Sequence, residues 1–358
     1  MAKSENTKKS VALEARRLLG RARQKLRSWR GTSHQIYVED RLDEYQRIWK
    51  LIAAEVDAEF TPLSNDIWEI RKGVTFLRLF QNQLELDDPV TLQLAARKPL
   101  VHKMLSAQGI AVPPSISFSL NGLLKAEEFL DQHRLGIVIK PAAGFAGKGV
   151  TTNVVNPSGI RSAAVLASLY DQNLLGEKQI AGECYRLLVF QGKVISAVRR
   201  TGLRISGDGR STVRQLISNL QPSSNKHSPR LQREIDLHLD TQGIDNESVL
   251  ASKQEILVSG VPLSATNVEL RTVYDTEVIS RVCQENLDCA ELAARIIRSE
   301  LLGVDIITTD IGKPLAETSG VVNEVNTTPG LHHHYDSEQE SYPRVALQIV
   351  TQMLEKTR

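Results

Sequence analysis

The sequence predicts an α+β protein built from two or three compact units, and three observations support this prediction. Its 358 residues are enough to bury a sizeable core. Hydrophobic residues make up 41% of the chain and charged residues 24%, as in ordinary globular proteins. From about Asp88 onward, short apolar runs typical of strands alternate with helical stretches, and two pairs of strands have hairpin spacing.

The composition also narrows the function classes. The chain has no apolar run of about 18 residues and no apolar leader with a cleavage site, so we expect no transmembrane segment and no secretion. Three cysteines, Cys184, Cys283 and Cys289, lack metal-ligand spacing and suit a reducing cytoplasm. Residues 1–31 hold ten Lys/Arg and two Glu, which leaves the remaining chain mildly acidic. Nucleic-acid binding by that remainder therefore has no support.

Residues 1–33 are interpreted as a basic amphipathic tail. Its apolar residues recur at three- and four-residue steps: Val11, Ala15, Leu18, Ala22, Leu26 and Trp29. The charged face predicts either an anchor on an anionic membrane or a targeting segment. The alternative, which we favour, is a solvated helix packed by one edge on a partner or on the body of the protein.

Residues 34–93 are predicted to form a small α/β unit that supports the next domain. The stretch Gln35–Val38 resembles a short strand, and a helix is expected from about Arg41 to Val56. No residue of this unit suggests chemistry.

The remaining chain, 94–182 and 183–358, carries the elements on which the functional argument depends. We predict a helix around residues 97–105, a buried strand at 137–139, a hairpin of 185–190 with 194–198, a helix at 287–299 and a second hairpin of 304–309 with 320–325.

The second hairpin predicts a metal site. Asp305 lies on its first strand, and Glu324 and Asn326 lie on its second. Residues two apart on a strand point to the same face, and the hairpin can bring Asp305 alongside them. Carboxylate and amide oxygens suit Mg²⁺ that also holds phosphate oxygens. The alternative is a set of polar residues flanking a turn on a solvated sheet face.

A glycine-rich loop follows the buried strand. Lys140 ends that strand, and Gly144, Gly147 and Gly149 come next. The glycines predict a mobile loop whose backbone N–H groups can face anions, although a plain hairpin turn is the alternative. It is not a Walker A loop, since Gly149 follows Lys148 where Ser or Thr would be needed.

Six features occur in a fixed order along the chain. They are a helix with a lysine, an Ile-Lys-Pro strand, the glycine loop, a Tyr-Arg strand, a strand with Asp305 and the motif 323–330. This order resembles the ATP-grasp superfamily over about residues 94–335. The chain is most similar to the ATP-grasp part of cyanophycin synthetase, with glutathione synthetase and ribosomal-protein glutamate ligase more distant. The resemblance implies an ATP-grasp fold: an N-terminal α/β unit, a small lid domain within 94–182, and a C-terminal catalytic domain over 183–358, with ATP held between two antiparallel sheets.

The resemblance also implies roles for particular residues. Lys98 and Lys140 would contact the ATP phosphates under the 144–149 loop. Glu177 and Ile180 would belong to the hinge that holds adenine and ribose. Asp305, Glu324 and Asn326 would bind two Mg²⁺ ions, with Mn²⁺ as a substitute. Four arginines would face the phosphoryl group or acyl phosphate, although one or two of them are expected to be surface bystanders: Arg186, Arg199, Arg200 and Arg271.

Three positions depart from the pattern or extend it. Relatives carry a carboxylate where Cys184 stands, and an Asn/Gly-rich loop where residues 272–276 read Thr-Val-Tyr-Asp-Thr. The run His332–His334 follows the Pro-Gly turn, where relatives shape the substrate pocket. A polar pocket wall is the favoured interpretation there, and a metal site the lesser one.

The implied activity is a carboxylate–amine ligase that works through an acyl phosphate. Its substrates would be amino acids or short peptides, and the relatives' dimers and tetramers imply a homo-oligomer. Two rivals stay open: a nucleotide-binding regulator or scaffold without ligase activity, and a phosphotransferase acting on a non-carboxylate acceptor.

Overall fold

The computed structural model describes residues 13–15, 17–18, 33–143, 149–200, 203–219, 239, 244–259, 276–335 and 341–355. Its N-terminal unit is helix α1 (Ser33–Glu55) with an antiparallel sheet of four strands in sequential order. These strands are β1 (Glu59–Pro62), β2 (Ile67–Lys72), β3 (Thr75–Phe80) and β4 (Gln83–Leu84).

The predicted strand at Gln35–Val38 is wrong, because α1 already begins at Ser33. A four-residue preference for extended backbone is weak against a long helix that tertiary packing stabilises. From the second half of α1, Ile48, Trp49 and Ile52 are buried at helical spacing, within the range predicted to be helical. Trp49 packs with Trp68 in a core that continues into the C-terminal part of the protein.

The central region contains helices α2 (Pro89–Ala95) and α3 (Lys98–Ser106), followed by a second antiparallel sheet. This sheet has the order β5 (Ser115–Phe118), β8 (Leu174–Lys178), β6 (Ile137–Pro141), β7 (Thr151–Val154). Helices α4 (Leu123–Asp131) and α5 (Pro157–Ala167) share one apolar core with it. Asn156 caps α5 by accepting a hydrogen bond from the backbone of Gly159, and Pro157 fixes the first turn.

The C-terminal region is built on a five-stranded antiparallel sheet of order β13-β10-β9-β14-β15. Its strands are β9 (Glu183–Phe190), β10 (Lys193–Arg199), β13 (Thr276–Glu277), β14 (Leu301–Thr308) and β15 (Val321–Asn326). Helix α7 (Gln284–Ile297) precedes β14, helix α8 (Leu315–Thr318) lies between β14 and β15, and helix α9 (Arg344–Glu355) follows. The predicted hairpins and the helix near 287–299 are therefore confirmed.

The two faces of this sheet have different partners. Tyr185, Leu187 and Val189 pack with α3 and α7 on one face. Leu188 and Phe190 point the other way and pack with the N-terminal unit and α9. This alternation follows from the two-residue period of a strand, and it places Arg186 on the face shared with Leu188.

A smaller pair of strands, β11 (Leu203–Ser206) and β12 (Glu255–Ser259), packs with helix α6 (Val213–Asn219) and Leu239. Asp208 organises the turn before α6 by accepting hydrogen bonds from the backbone N–H groups of Arg210 and Ser211. These bonds, with one from the Ser211 hydroxyl, lower the pKa of Asp208 to about 2.

Of the tail, only residues 13–15 and 17–18 are described, and they are helical. The predicted apolar face is wrong here, since Leu18 is 62% exposed whereas Leu13 and Arg17 are buried. The Arg17 Nε donates to the backbone oxygen of Ser168 at 3.3 Å, just after α5. The contact agrees with a helix packed by one edge on the body, because the arginine stem packs while its head finds a carbonyl.

The predicted α+β class, with two antiparallel sheets in the main body, is confirmed. Within the described ranges, the structure has no helix whose length and apolarity would let it cross a membrane.

Candidate active site

The two predicted phosphate lysines come from different elements that meet. Lys98 opens α3, where Pro99 in the first turn suits the free N–H groups of a helix start. The Lys98 backbone N–H donates to Ala142 O at 3.3 Å, so the start of α3 is joined to the chain just after Lys140. Lys140 itself lies near the end of β6 and is buried.

Each lysine faces a carboxylate. The Lys140 ammonium lies 2.6 Å from Glu177 Oε2, and the Lys98 ammonium lies 3.8 Å from Glu324 Oε2. Burial lowers the pKa of Lys98, while Glu324 acts in the opposite direction. Glu177 was predicted to hold the base or ribose; in the structure its buried carboxylate faces Lys140 inside the protein.

The predicted metal residues lie together on the second hairpin. Asp305 and Glu324 are direct partners across β14 and β15, beside a register shift in the ladder. The Asn326 Nδ2 lies 3.4 Å from Asp305 Oδ2. Burial opposes ionisation of Glu324, but Lys98, Lys140, Arg186 and Arg200 together lower its pKa to about 2. Glu324 is therefore an anion at any physiological pH.

Two arginines surround Asp305. Arg186 donates through Nε and Nη2 to the two carboxylate oxygens, each at 2.7 Å, and both side chains are buried. This fork-to-fork pair is the strong form of an arginine–carboxylate interaction. Arg200 Nη1 lies 3.6 Å from Asp305 Oδ2. Arg186 and Arg200 thus belong to the site.

Arg199 and Arg271 do not join this group in the described structure. Arg199 pairs with Glu183 at 3.5 Å, and both side chains are about two-fifths exposed. This is the bystander role expected for one or two of the arginines. Arg271 lies outside the described residues, as does most of the 272–276 loop.

Mg²⁺ fits the hairpin residues. In the part of the chain that the structure describes, no three His, Cys, Asp or Glu side chains gather to hold a metal. The hairpin offers two carboxylates and one amide oxygen instead. Mg²⁺ is commonly held in this way, by one or two carboxylates with phosphate oxygens and water completing its shell. Asp305 Oδ1, which accepts from Arg186 Nε, still has a second lone pair for this purpose.

Of the predicted loop glycines, Gly149 is described, whereas Gly144 and Gly147 lie outside the described residues. Gly149 has φ +74°, and an added Cβ would lie 2.7 Å from Tyr170 Cδ2 and 3.2 Å from Ala167 Cα. The end of the loop therefore packs directly on the turn after α5 and requires glycine there.

The predicted hinge connects β8 to β9. Ile180 lies in this connection and is partly exposed, and Gly182 follows with φ +124°. A Cβ at Gly182 would lie 2.3 Å from the carbonyl carbon of Thr308, so the hinge presses against the end of β14. Cys184, two residues on, has its thiol pKa raised to about 12 by burial and by Asp305.

The histidine run lies beside the arginine face of the sheet. His334 Nδ1 is 2.9 Å from Ser196 Oγ, and Ser196 pairs with Leu188, two residues from Arg186. Burial, assisted by His333, Arg186 and Arg200, lowers the pKa of His334 well below its usual value. The neutral ring agrees with a polar pocket wall. The side chain of His332 lies outside the described residues.

One member of the site, His102, was not predicted from the sequence. It lies on α3 and is buried between β15 and Glu177. A signal was present, because His102 is four residues after Lys98 on a predicted helix, and residues at that spacing share a face.

Two antiparallel sheets therefore meet at one site, with lysines at the border of one and carboxylates with arginines on the other. This arrangement of sheets is that of the ATP-grasp fold. A bifunctional glutathione synthetase from Pasteurella multocida has a similar structure, with a TM-score of 0.55 and 21% identity over 83% of this chain and 41% of that one. The predicted ATP-grasp fold is confirmed.

The sequence relatives include cyanophycin synthetases. The one from Trichormus variabilis is 28% identical over 291 residues, covering 79% of this chain and 31% of the relative. The one from Synechocystis sp. is 30% identical over 275 residues, covering 74% of this chain and 30% of the relative. This chain thus spans about a third of the length of these relatives. No protein-family model matches it.

Proposed function

We propose that this protein is an ATP-dependent ligase that joins a carboxylate to an amine through an acyl phosphate. The observation that carries the proposal is the meeting of Lys98 and Lys140 with Asp305, Glu324, Arg186 and Arg200. Such a set can hold a nucleoside triphosphate and neutralise the charge of a phosphoryl group during its transfer. The likeness to named synthetases supports a bond-forming outcome.

Two steps follow from this arrangement. In the first, a carboxylate oxygen of the substrate attacks the γ-phosphorus of ATP, and the bond from that phosphorus to the ADP oxygen breaks. Lys98 and Lys140 hold the phosphates, and Arg186 and Arg200 stabilise the spreading negative charge. Mg²⁺ held by Asp305, Glu324 and Asn326 would supply charge neutralisation at the phosphate oxygens.

In the second step, the nitrogen of a neutral amine attacks the acyl carbon. The carbon–oxygen bond to phosphate breaks, phosphate leaves and the nitrogen loses a proton, which gives an amide. The chain needs no covalent nucleophile of its own for this chemistry. Positioning and exclusion of water supply the rate, and we assign the cover of the site to the lid with its 144–149 loop.

The remaining assignments belong to this proposal. Two Mg²⁺ ions, with Mn²⁺ as a substitute, would be held by the hairpin. The hinge at residues 177–180 would hold adenine through its backbone, because the Glu177 carboxylate is already paired with Lys140. The substrates would be amino acids or short peptides, and three free cysteines suit a cytoplasmic setting. The resemblance also leads us to expect that the protein forms a homo-oligomer.

The experiment is phosphate release from Mg-ATP with pooled carboxylic acids and amines, using Glu324→Ala as the inactive control. We expect release that needs both a carboxylate and an amine and that is absent in the variant. ATP binding without turnover in any mixture would instead favour the non-catalytic rival. A phosphorylated product that accumulates without an amine would favour the phosphotransferase.

A further inference from the structure

His102 has no role in the two proposed steps, yet it touches the elements that carry them. It is buried on α3, one helical turn after Lys98. Residues four apart on a helix lie on the same face, so Lys98 and His102 are presented to the same neighbours.

One ring nitrogen of His102 forms a hydrogen bond with β15. Its Nε2 lies 2.9 Å from the backbone oxygen of Asn323, which directly precedes Glu324 on β15. A carbonyl oxygen can only accept a hydrogen bond, so Nε2 must carry the hydrogen. This bond joins β15 to the helix that carries Lys98, whose Nζ lies 3.8 Å from Glu324 Oε2.

The other ring nitrogen faces the carboxylate that holds the second lysine. His102 Nδ1 lies 3.8 Å from Glu177 Oε1, while Glu177 Oε2 is bonded to Lys140 at 2.6 Å. Among the described residues, neither Nδ1 nor Oε1 has a hydrogen-bond partner, although both atoms are buried. A buried polar group without a partner is costly and calls for an explanation.

The explanation lies in what the ring does to Glu177. With its hydrogen on Nε2, the neutral ring presents a lone pair to Glu177 Oε1 and donates no hydrogen bond to it. The side of Glu177 that faces the ring therefore gains nothing from it, which favours the contact of Glu177 Oε2 with Lys140. His102 thus lies between β15, through Asn323, and the carboxylate that pairs with Lys140.

We propose that His102 is a positioning residue that sets the geometry of the Mg-ATP site: it fixes Glu324 relative to Lys98 through Asn323, and it leaves Glu177 to pair with Lys140 by offering that carboxylate no competing donor. The inference rests on the proposed function, since it assumes that Mg-ATP is what these groups bind. Outer groups that orient a metal or phosphate site typically change its affinity about 10- to 100-fold when they are removed.

The test compares His102→Ala with His102→Gln in the full chain. Glutamine places an amide N–H near the position of Nε2 and keeps the bond to Asn323, whereas alanine removes both contacts. His133→Ala is the matched control, because His133 is another histidine within hydrogen-bond distance of a backbone oxygen, 2.7 Å from Phe129 O, in the lid. The measurements are the Kd of Mg-ATP and of metal-free ATP by calorimetry, and the unfolding temperature.

We expect His102→Ala to bind Mg-ATP about tenfold more weakly or worse, His102→Gln to recover most of that loss, and His133→Ala to bind like the wild type. The weakening should be larger with Mg²⁺ than without it, which a general loss of stability would not produce. Unchanged Mg-ATP affinity in His102→Ala, with the wild type binding normally, would overturn this inference alone. A wild type that fails to bind Mg-ATP would overturn the proposed function and this inference together.

Discussion

Two clusters of arginine and carboxylate in this protein have similar residue types, but their arginines differ in exposure. In the site, Arg186 and Asp305 form a two-pronged pair with both side chains less than 5% exposed. On the outer face of the N-terminal sheet, Glu69 lies between Arg71 and Arg78, whose side chains are 39% and 54% exposed. Phe76 lies against both of these arginines, at 4.5 and 5.1 Å from ring centre to guanidinium carbon.

The difference shows what burial does to a charge. An exposed pair exchanges water for a partner with little net gain, so its loss is tolerated. A buried pair costs desolvation when it forms, and removing one member leaves the other charged and alone. The stability of the fold therefore depends strongly on the Arg186–Asp305 pair of the site. It depends little on the cluster around Glu69.

The largest expected effect on stability comes from removing the arginine of the buried pair, and the matching change in the other cluster serves as its control. Arg186→Ala leaves Asp305 buried without its main partner, and we expect a loss of about 3 kcal/mol in the free energy of unfolding. The value lies at the low end of the usual range because Arg200 remains 3.6 Å from Asp305. Arg71→Ala is the control and should leave the denaturation midpoint nearly unchanged. Equal losses in the two variants would break the comparison.

A second prediction concerns the pH dependence of stability through Glu324. Its pKa is about 2 in the folded protein, below the ordinary value of 4.5, because four cations outweigh its burial. Its stabilising contribution is therefore present above about pH 4.5 and is lost as the pH falls towards 2.

Urea denaturation of wild type and Glu324→Gln should show a stability difference at pH 5 that shrinks steadily down to pH 2.5. Glu69, whose arginine partners are exposed, also has a lowered pKa, caused first by its hydrogen bond to Arg71. Salt should weaken the effect of Glu69→Gln more than that of Glu324→Gln, since the exposed arginine charges are screened. Equal weakening of both by salt would contradict the buried character of the site.

A third prediction extends the comparison from charges to the backbone. Gly149 and Gly192 have nearly equal φ angles, +74° and +76°, but only Gly149 has close neighbours. We expect Gly192→Ala to cost about 1 kcal/mol for its left-handed backbone. Gly149→Ala should cost about 1–3 kcal/mol more, because its Cβ would meet the Tyr170 ring. Thermal unfolding measures both, and equal costs would show that the neighbours of Gly149 give way freely.

The smallest effect is expected at the thiols. Burial and Asp305 raise the pKa of Cys184 to about 12, and burial raises that of Cys289 to about 11. At pH 8 only about one Cys184 in ten thousand is a thiolate, so iodoacetamide should modify it very slowly in the native protein. Mass spectrometry should show Cys184 modified readily only after denaturation. Rapid labelling of Cys184 in the native state would mean that this part of the site is open.

Much of the site could be predicted from sequence because its residues lie on elements with clear periods. Asp305, Glu324 and Asn326 sit on a hairpin whose apolar pattern is unambiguous, and the structure brings them together. His102 could have been found from its spacing to Lys98. The pairing of Glu177 with Lys140 could not, since it depends on how two separate strands pack side by side.

The errors have physical causes as well. The stretch Gln35–Val38 has residues that favour strands, but it continues a helix whose later turns are anchored by Trp49 and Ile52. In the tail, periodicity placed Leu18 on the packed face, whereas Arg17 is the buried residue there and donates to Ser168 O. The pattern of apolar residues alone does not distinguish a helix packed through Leu18 from one packed through Arg17.

The central claim, formation of an acyl phosphate, can be tested before the amine is known. Hydroxylamine attacks an acyl phosphate at its carbon and yields a hydroxamate with release of phosphate, so it replaces the unknown amine. With Mg-ATP and pooled carboxylic acids, we predict hydroxamate and ADP in equal amounts, and neither product with Glu324→Ala. ATP consumption that leaves a stable phosphorylated compound and no hydroxamate would contradict the ligase mechanism.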